Sequence, residues 1–276
     1  MKNKLSYEIV GILNVTPDSF YDGGRFFEKS KAIDRAYQLI DEGADMIDIG
    51  GESTRPGSER ISAEDECGRV IPVIEYLAPR IPVPISIDTT KSVVAKAAID
   101  AGADVVNDIS GLTMDPAMVE VISGSHVRYV LTHIQGTPKE MQEHPVYQNV
   151  IQEICDFFKK KIAFAERNGI GSERLILDPG IGFGKTVLHN LEILRSLKTF
   201  LNFSLPLLIG TSRKSFIGHL LNDLGPGDRL SGSLASAILS YLQGVRFFRV
   251  HDVLETKKAL KFCDAVMRGP EIRIES

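Results

Sequence analysis

The stretch ISIDTTKSVVAKAAIDAGADVVND, residues 85–108, decides the fold. An apolar run at 85–87 ends on Asp88, and an amphipathic segment follows at 92–100. A second apolar run, 105–106, ends on Asn107 and Asp108. That is strand, helix, strand, and such a unit pairs its strands in parallel through a right-handed crossover. The pattern extends in both directions. Apolar runs recur at 9–13, 46–49, 127–131, 175–177, 207–209 and 247–250. Amphipathic segments lie between them at 31–41, 65–77, 150–168, 191–200 and 230–242. Eight strands alternating with helices predict an α/β protein, a single-domain (β/α)8 TIM barrel over residues 1–276. Periodicity does not show closure, so an open doubly wound sheet is the alternative. No linker-like or low-complexity stretch divides the chain.

Composition narrows the classes of function. With 276 residues, 43% of them hydrophobic, the chain can bury a large core. A net charge of -4 offers no electrostatic attraction to nucleic acid or to an acidic membrane. The longest basic run, Lys159-Lys160-Lys161, falls in a helical pattern and reads as a solvated helix face. Cys67, Cys155 and Cys263 are odd in number and far apart, which supports neither a zinc site nor a disulfide framework. Idle thiols suit a reducing compartment. The first residues lack the apolar core of a signal peptide, and no apolar run reaches the roughly 18 residues that span a bilayer. A cytoplasmic protein is expected.

The carboxyl ends of the strands carry polar residues: Asn14, Asp88, Asn107-Asp108, Asp178, and Arg249 with His251. A barrel builds its active site at this rim. One such residue could be a turn or a helix cap; several on one rim point to function. Side chains two apart on a strand share a face, so Arg249 and His251 do, as do Ile12 and Asn14, Ser86 and Asp88, and Ile176 and Asp178. A charged pair at a strand end suits an anionic ligand.

Glycine-rich loops follow several strands. The first runs from Asn14 through Phe20 to Gly24, the second from Asp48 through Thr54, Arg55 and Pro56 to Gly57. Such loops could be mobile lids or plain solvated connections. Asp178-Pro179-Gly180-Ile181-Gly182-Phe183-Gly184-Lys185 follows the sixth strand. Its glycines allow close backbone approach to a ligand, and Phe183 offers a flat stacking face. It is not a dinucleotide fingerprint, because the acidic residue precedes the glycines. Gly210 to Gly218, with Ser212, Arg213, Lys214 and Ser215, follows the seventh strand and opens a helix, which suits either an anion or a simple cap.

Taken in order, the blocks 11–24, 48–57, 85–89, 107–109, 178–185, 210–218 and 249–253 resemble dihydropteroate synthase over nearly the whole chain. The resemblance implies a barrel enzyme of folate biosynthesis, usually a homodimer, that joins a dihydropterin diphosphate to p-aminobenzoate with Mg2+. By that resemblance Asp88, Asn107, Asp178 and Lys214 would bind the pterin, and Phe183 and Leu208 would line its pocket. Asp88, Lys214 and Asp178 would be the catalytic set. Thr54, Arg249 and His251 would contact the diphosphate, and Asn14 would hold Mg2+ beside it. Phe20, Thr54, Arg55, Pro56 and Ser215 would form the p-aminobenzoate site. No side-chain nucleophile is needed if diphosphate leaves first. A methyltransferase domain on a similar pterin-binding barrel would not need the 53–57 and 212–218 blocks, and a non-catalytic scaffold would not need the charged strand ends. One position departs from the pattern. Many relatives carry Met-His-Met where this chain has Thr132-His133-Ile134. If Thr132 faces the barrel, its hydroxyl should find a partner such as a strand carbonyl.

Overall fold

The computed structural model describes residues 7–16, 24–53 and 57–268, with 24–28 described as helical backbone alone. The strands are β1 (Glu8–Asn14), β2 (Met46–Gly50), β3 (Ile85–Asp88), β4 (Val105–Asp108), β5 (Arg128–Thr132), β6 (Leu175–Asp178), β7 (Leu208–Ile209) and β8 (Phe247–Val250). They form one sheet in the order β6-β5-β4-β3-β2-β1-β8-β7, and every pair is parallel. Leu207, just before β7, bridges Leu177 of β6 in parallel, and the Leu177 N–H donates to the Pro206 carbonyl at 2.9 Å. The sheet therefore closes on itself. This settles the point that periodicity left open: the fold is a (β/α)8 barrel, and the open sheet is excluded.

The helices are α1 (Gly24–Asp41), α2 (Ala63–Leu77), α3 (Ser92–Asp100), α4 (Met118–Ser123), α5 (Val150–Arg167), α6 (Val187–Arg195), α7 (Leu197–Phe200), α8 (Ser215–Leu220), α9 (Leu230–Leu242) and α10 (Val253–Arg268). Their starts follow capping chemistry. The Ser62 side chain accepts the Asp65 N–H at 3.0 Å, and Glu64, Asp65 and Glu66 fill the positive first turn of α2. The Asn149 side chain accepts the Gln152 N–H at 3.0 Å and starts α5. Thr186 and His189 cap each other reciprocally at the start of α6. The segment expected as one helix over 191–200 is two, parted at Ser196, whose non-helical backbone (φ -113°, ψ 19°) ends α6 before α7 begins. In the basic run of α5, Lys159 and Lys160 are exposed as expected. Lys161 is not: it reaches back to the Leu112 carbonyl at 2.9 Å.

Strand alternation divides the apolar residues into two cores. Ile47, Ile49, Ile85, Ile87, Val106, Leu131 and Leu177 face outward and pack under the helices. Val10, Met46, Val105, Val130, Ile176, Leu208 and Phe247 face inward and fill the barrel interior. Apart from Ile12 on β1, the inward positions that follow them toward the carboxyl ends are polar or glycine, which opens the mouth. Among the described residues no helix is long and apolar enough to cross a membrane.

Phe158 of α5 anchors the outer core. It is fully buried and meets Phe200 and Phe203 edge-on at 6.0 and 5.8 Å between ring centres. Phe158→Ala should therefore lower the unfolding free energy by about 3–5 kcal/mol, read from urea midpoints at unchanged slope. A loss under about 1 kcal/mol would show that this aromatic cluster is not structural.

Candidate active site

Charge converges inside the mouth of the barrel. Arg249 of β8 donates through Nε to Asp48 Oδ2 of β2 at 2.6 Å and through Nη2 to Asp88 Oδ2 of β3 at 2.6 Å. The Asp48 and Asp88 side chains are 1% and 7% exposed, so this is a buried triad and not a surface ion pair. Asn107 Nδ2 of β4 also donates to Asp48 Oδ2, at 3.2 Å. One carboxylate thus fixes both the guanidinium and the carboxamide. Two glycines lie against the triad, each with space for no more than a Cβ in ordinary contact. A Cβ at Gly210 would lie 3.8 Å from Arg249 Cβ, and one at Gly50 would lie between Asn14 Oδ1 and the Asp88 carboxylate, 3.8 Å from each.

Asp178 ends β6 and is buried on the same interior face. The Gly180 N–H donates to its Oδ1 at 2.8 Å. Gly180 has φ +71, and a Cβ there would sit 1.8 Å from the His133 carbonyl oxygen, so the turn that aims Asp178 admits only glycine. Lys214 lies over the Phe183 ring at 4.3 Å and donates to the Ile181 carbonyl. Behind this loop Lys185 is buried, with Nζ 3.0 Å from both His133 Nδ1 and the Phe183 carbonyl.

Burial governs the protonation states. It pushes the Asp88 carboxyl up to about 7, against Arg249 and with help from Asp48. It pulls the Lys214 ammonium down to about 8, against Asp178. The Asp178 carboxyl is raised by burial and held back chiefly by Lys214 and the Gly180 N–H. Lys185 falls well below the lysine range, and His133 falls to about 2, each through desolvation first. His133 is therefore neutral.

Asp88, Asn107 and Asp178 project into one space with Arg249. Phe183 and Lys214 form its wall, and Leu208 belongs to the apolar floor beneath. Asn14 stands at the end of β1, level with Gly50 and beside Asp88. His251 follows β8, with Nδ1 3.0 Å from Ser212 Oγ, which ties the loop after β7 to the end of β8. Ser215 opens α8 and is exposed. Phe20, Thr54, Arg55 and Pro56 lie outside the described residues. A cavity of about 380 Å³ reaches Asp88 between the loops after β2, β3 and β5, lined in part by Ser53, Thr89 and Thr90.

Three features correct the sequence reading. Arg213 does not serve an anion, because its guanidinium is paired with Asp252, two residues past the end of β8. Asp108 faces outward and accepts from the Tyr129 hydroxyl at 2.5 Å and from the Ser110 and Leu112 N–H groups, so it shapes a loop. Thr132 faces the barrel at 1% exposure, yet its hydroxyl has no partner among the described residues where a strand carbonyl was expected. The sequence reading also missed Asp48, which it treated only as the start of a loop. The signal was present: a lone acid at the inward position of an apolar strand, two residues from Met46 and two from Gly50.

A barrel whose rim holds a buried guanidinium between carboxylates, with a lysine stacked on an aromatic ring, defines an enzyme site for a small, flat, polar ligand. A family profile for the pterin binding enzyme family matches residues 10–251. The dihydropteroate synthase of Escherichia coli strain K12 is 48% identical over 263 residues, 95% of this chain and 93% of that protein. The dihydropteroate synthase of Synechocystis is 44% identical, over 94% of this chain and 90% of that protein. The crystal structure of Yersinia pestis dihydropteroate synthase with a sulfonamide drug complex superposes with a TM-score of 0.90 at 43% identity, over 95% of both chains. That of Xanthomonas albilineans dihydropteroate synthase with 7,8-dihydropteroate gives 0.86 at 38% identity, over 96% of this chain and 95% of that one. The chain belongs to the pterin binding enzymes and, within them, to the dihydropteroate synthases.

The electrostatics yield a test with a definite sign. Lys214 is the main charge holding the Asp178 carboxyl down. Lys214→Met should raise that carboxyl further, so at fixed pH less Asp178 is ionised, and any binding that needs its carboxylate shifts to higher pH. Carboxyl-labelled NMR titration reads this directly; an Asp178 signal that stays put or moves down would show that the two groups do not interact.

Proposed function

We propose that the rim of the barrel condenses (7,8-dihydropterin-6-yl)methyl diphosphate with p-aminobenzoate, giving 7,8-dihydropteroate and diphosphate. The observation that carries this reading is the Arg249 guanidinium held between Asp48 and Asp88 above the apolar floor. Asp178 and Asn107 receive and donate hydrogen bonds along the pterin edge, where a buried carboxylate suits N–H groups. Lys214 meets the ring's acceptors, and Phe183 and Leu208 cover its faces. Arg249 has five donors and gives two to carboxylates, so its remaining donors serve the diphosphate together with His251. Thr54 adds a hydroxyl there.

The reaction begins with breakage of the C–O bond to diphosphate. The electron pair leaves with the phosphate oxygen, and the pterin methylene carbon becomes cationic. Asp88 stabilises that positive charge from inside the barrel. The p-aminobenzoate nitrogen then forms the C–N bond and loses a proton. Phe20, Arg55, Pro56 and Ser215, with Thr54, position the second substrate and exclude water.

Among the described residues no group of three or more His, Cys, Asp or Glu could hold a metal ion. Asn14 offers one neutral oxygen beside the Asp88 carboxylate, and that fits Mg2+, which takes few protein ligands and completes its shell with phosphate oxygens and water. When bound, it would neutralise charge on the departing diphosphate. The three free thiols support a reducing, cytoplasmic setting. Exposed Leu188, Leu220, Leu239 and Leu242, on helices α6, α8 and α9, support a homodimer.

Purified protein with both substrates and Mg2+ should release dihydropteroate and diphosphate together; folded protein that makes neither refutes the reading. Arg249→Ala should weaken binding of the pterin diphosphate at least about tenfold, roughly 1.4 kcal/mol, beyond its effect on a pterin without diphosphate. Calorimetry showing equal losses for both ligands would remove Arg249 from the diphosphate site. Sulfonamides that mimic p-aminobenzoate should bind the ligand-free protein weakly and gain affinity when pterin, diphosphate and Mg2+ are present. Tight sulfonamide binding to the ligand-free protein would contradict ordered closure of the first two loops.

A further inference from the structure

Thr132 is the last residue of β5 and is 1% exposed. Val130, two residues earlier, belongs to the interior core, and Leu131 packs outward. The Thr132 side chain therefore points into the barrel above Val130. Its register neighbour on β6 is Asp178. The hydroxyl is buried without a partner among the described residues, although a buried hydroxyl is ordinarily hydrogen-bonded. Two other buried oxygens share this condition on the same interior face, Asp48 Oδ1 and Asp88 Oδ1. The partnerless atoms of the barrel interior are thus grouped where the ligand enters, which marks them as groups that a ligand completes.

We infer that Thr132 is a specificity-determining contact for the pterin, its hydroxyl donating to a ring acceptor beside the N–H groups that Asp178 receives. This rests on the pterin reading of the rim and deepens it. A carboxylate can only accept, whereas a threonine hydroxyl can also donate. A pterin edge presents donors and acceptors side by side. Asp178 matches the donors, and its neighbour on the adjacent strand supplies the complementary donor. The pairing is geometric, since register places the two residues side by side at the end of β5 and β6.

Thr132→Val removes the hydroxyl at nearly constant shape, and Thr132→Ser keeps it. Binding of 6-hydroxymethylpterin is measured by calorimetry, with thermal unfolding of the same proteins free of ligand. Thr132→Val should bind about three- to tenfold more weakly, the size of one hydrogen bond. The same variant should unfold, without ligand, at an equal or higher temperature, because a methyl replaces an unsatisfied hydroxyl. Thr132→Ser should bind within about twofold of the parent, since it keeps the donor. Equal binding by Thr132→Val would overturn the inference, and so would parallel loss of binding and ligand-free stability, which marks a structural role. Asp178→Asn is the control on the underlying reading. If the parent protein does not bind the pterin, or Asp178→Asn binds it undiminished, the pterin reading itself fails, whatever Thr132 does.

Discussion

The site depends on one interaction: a single guanidinium shared by two buried carboxylates. Asp48 and Asp88 project from neighbouring strands into a space with little water, and two bare carboxylates there would repel each other. Arg249 reaches them from β8 across β1 and binds both at 2.6 Å. Breaking such a buried set by deleting one member leaves uncompensated charge and costs about 3–5 kcal/mol. The triad therefore constrains three strands at once. It also fixes Asn107, which donates to the Asp48 oxygen that Arg249 uses.

The rest of the barrel keeps that triad in place. The interior core beneath it is apolar except at Ser86, the inward residue below Asp88 and level with Asp48. Closure through Leu177 and Leu207 holds β7 and β8 against β6, and so sets the distance between Arg249 and Asp178. The loop after β6 is locked separately. Gly180 and Gly184 lie against the carbonyls of His133 and Gln135 at positions where a Cβ would collide. Lys185 fills the space behind by bonding the Phe183 carbonyl. Asp178 and Phe183 are in this way placed by backbone packing before any ligand arrives, the kind of preorganisation on which binding and transition-state stabilisation rely.

The fold was legible because its signal is local and repeated. Runs such as 247–250 and segments such as 92–100 and 230–242 coincide with β8, α3 and α9. Closure was not legible, because it rests on a bridge of one residue beside a strand of two. Among the site residues, those at strand ends stood out, since a polar residue ending an apolar run breaks the pattern. Asp48 was hidden inside such a run, and its meaning lies in Arg249, 201 residues away. Arg213 misled for the converse reason. It sits in a loop rich in hydroxyls and cations, but Asp252 claims its charge, and only three-dimensional proximity reveals that pairing. The partnerless hydroxyl of Thr132 was likewise beyond the sequence, because satisfaction of a polar group is a property of its neighbours.

The charge count in the rim explains a division of labour. Asp48, Asp88 and Asp178 bring three carboxyls, while Arg249 and Lys214 bring two cations, and Lys185 is driven towards neutrality by burial. The mouth is thus not a positive funnel, and a diphosphate would enter a space with no surplus of positive charge. The carboxyls cannot be dispensed with, because ring N–H groups and a developing cation both require acceptors. Two arrangements relieve the conflict. Arg249 is neutralised on the side that faces Asp48 and Asp88, and in the proposed reading its other donors would serve phosphate, so attraction would be directional rather than long-range. Asp88, pushed up to about 7, titrates near neutral pH, so part of its charge would be relieved as an anion binds, while its ionised form is the one that would stabilise a developing cation. What remains uncompensated on the diphosphate is the charge that the proposed Mg2+ would offset, and a neutral Asn14 would suit that ion. A further carboxylate at that position would deepen the negative field that the anion must cross.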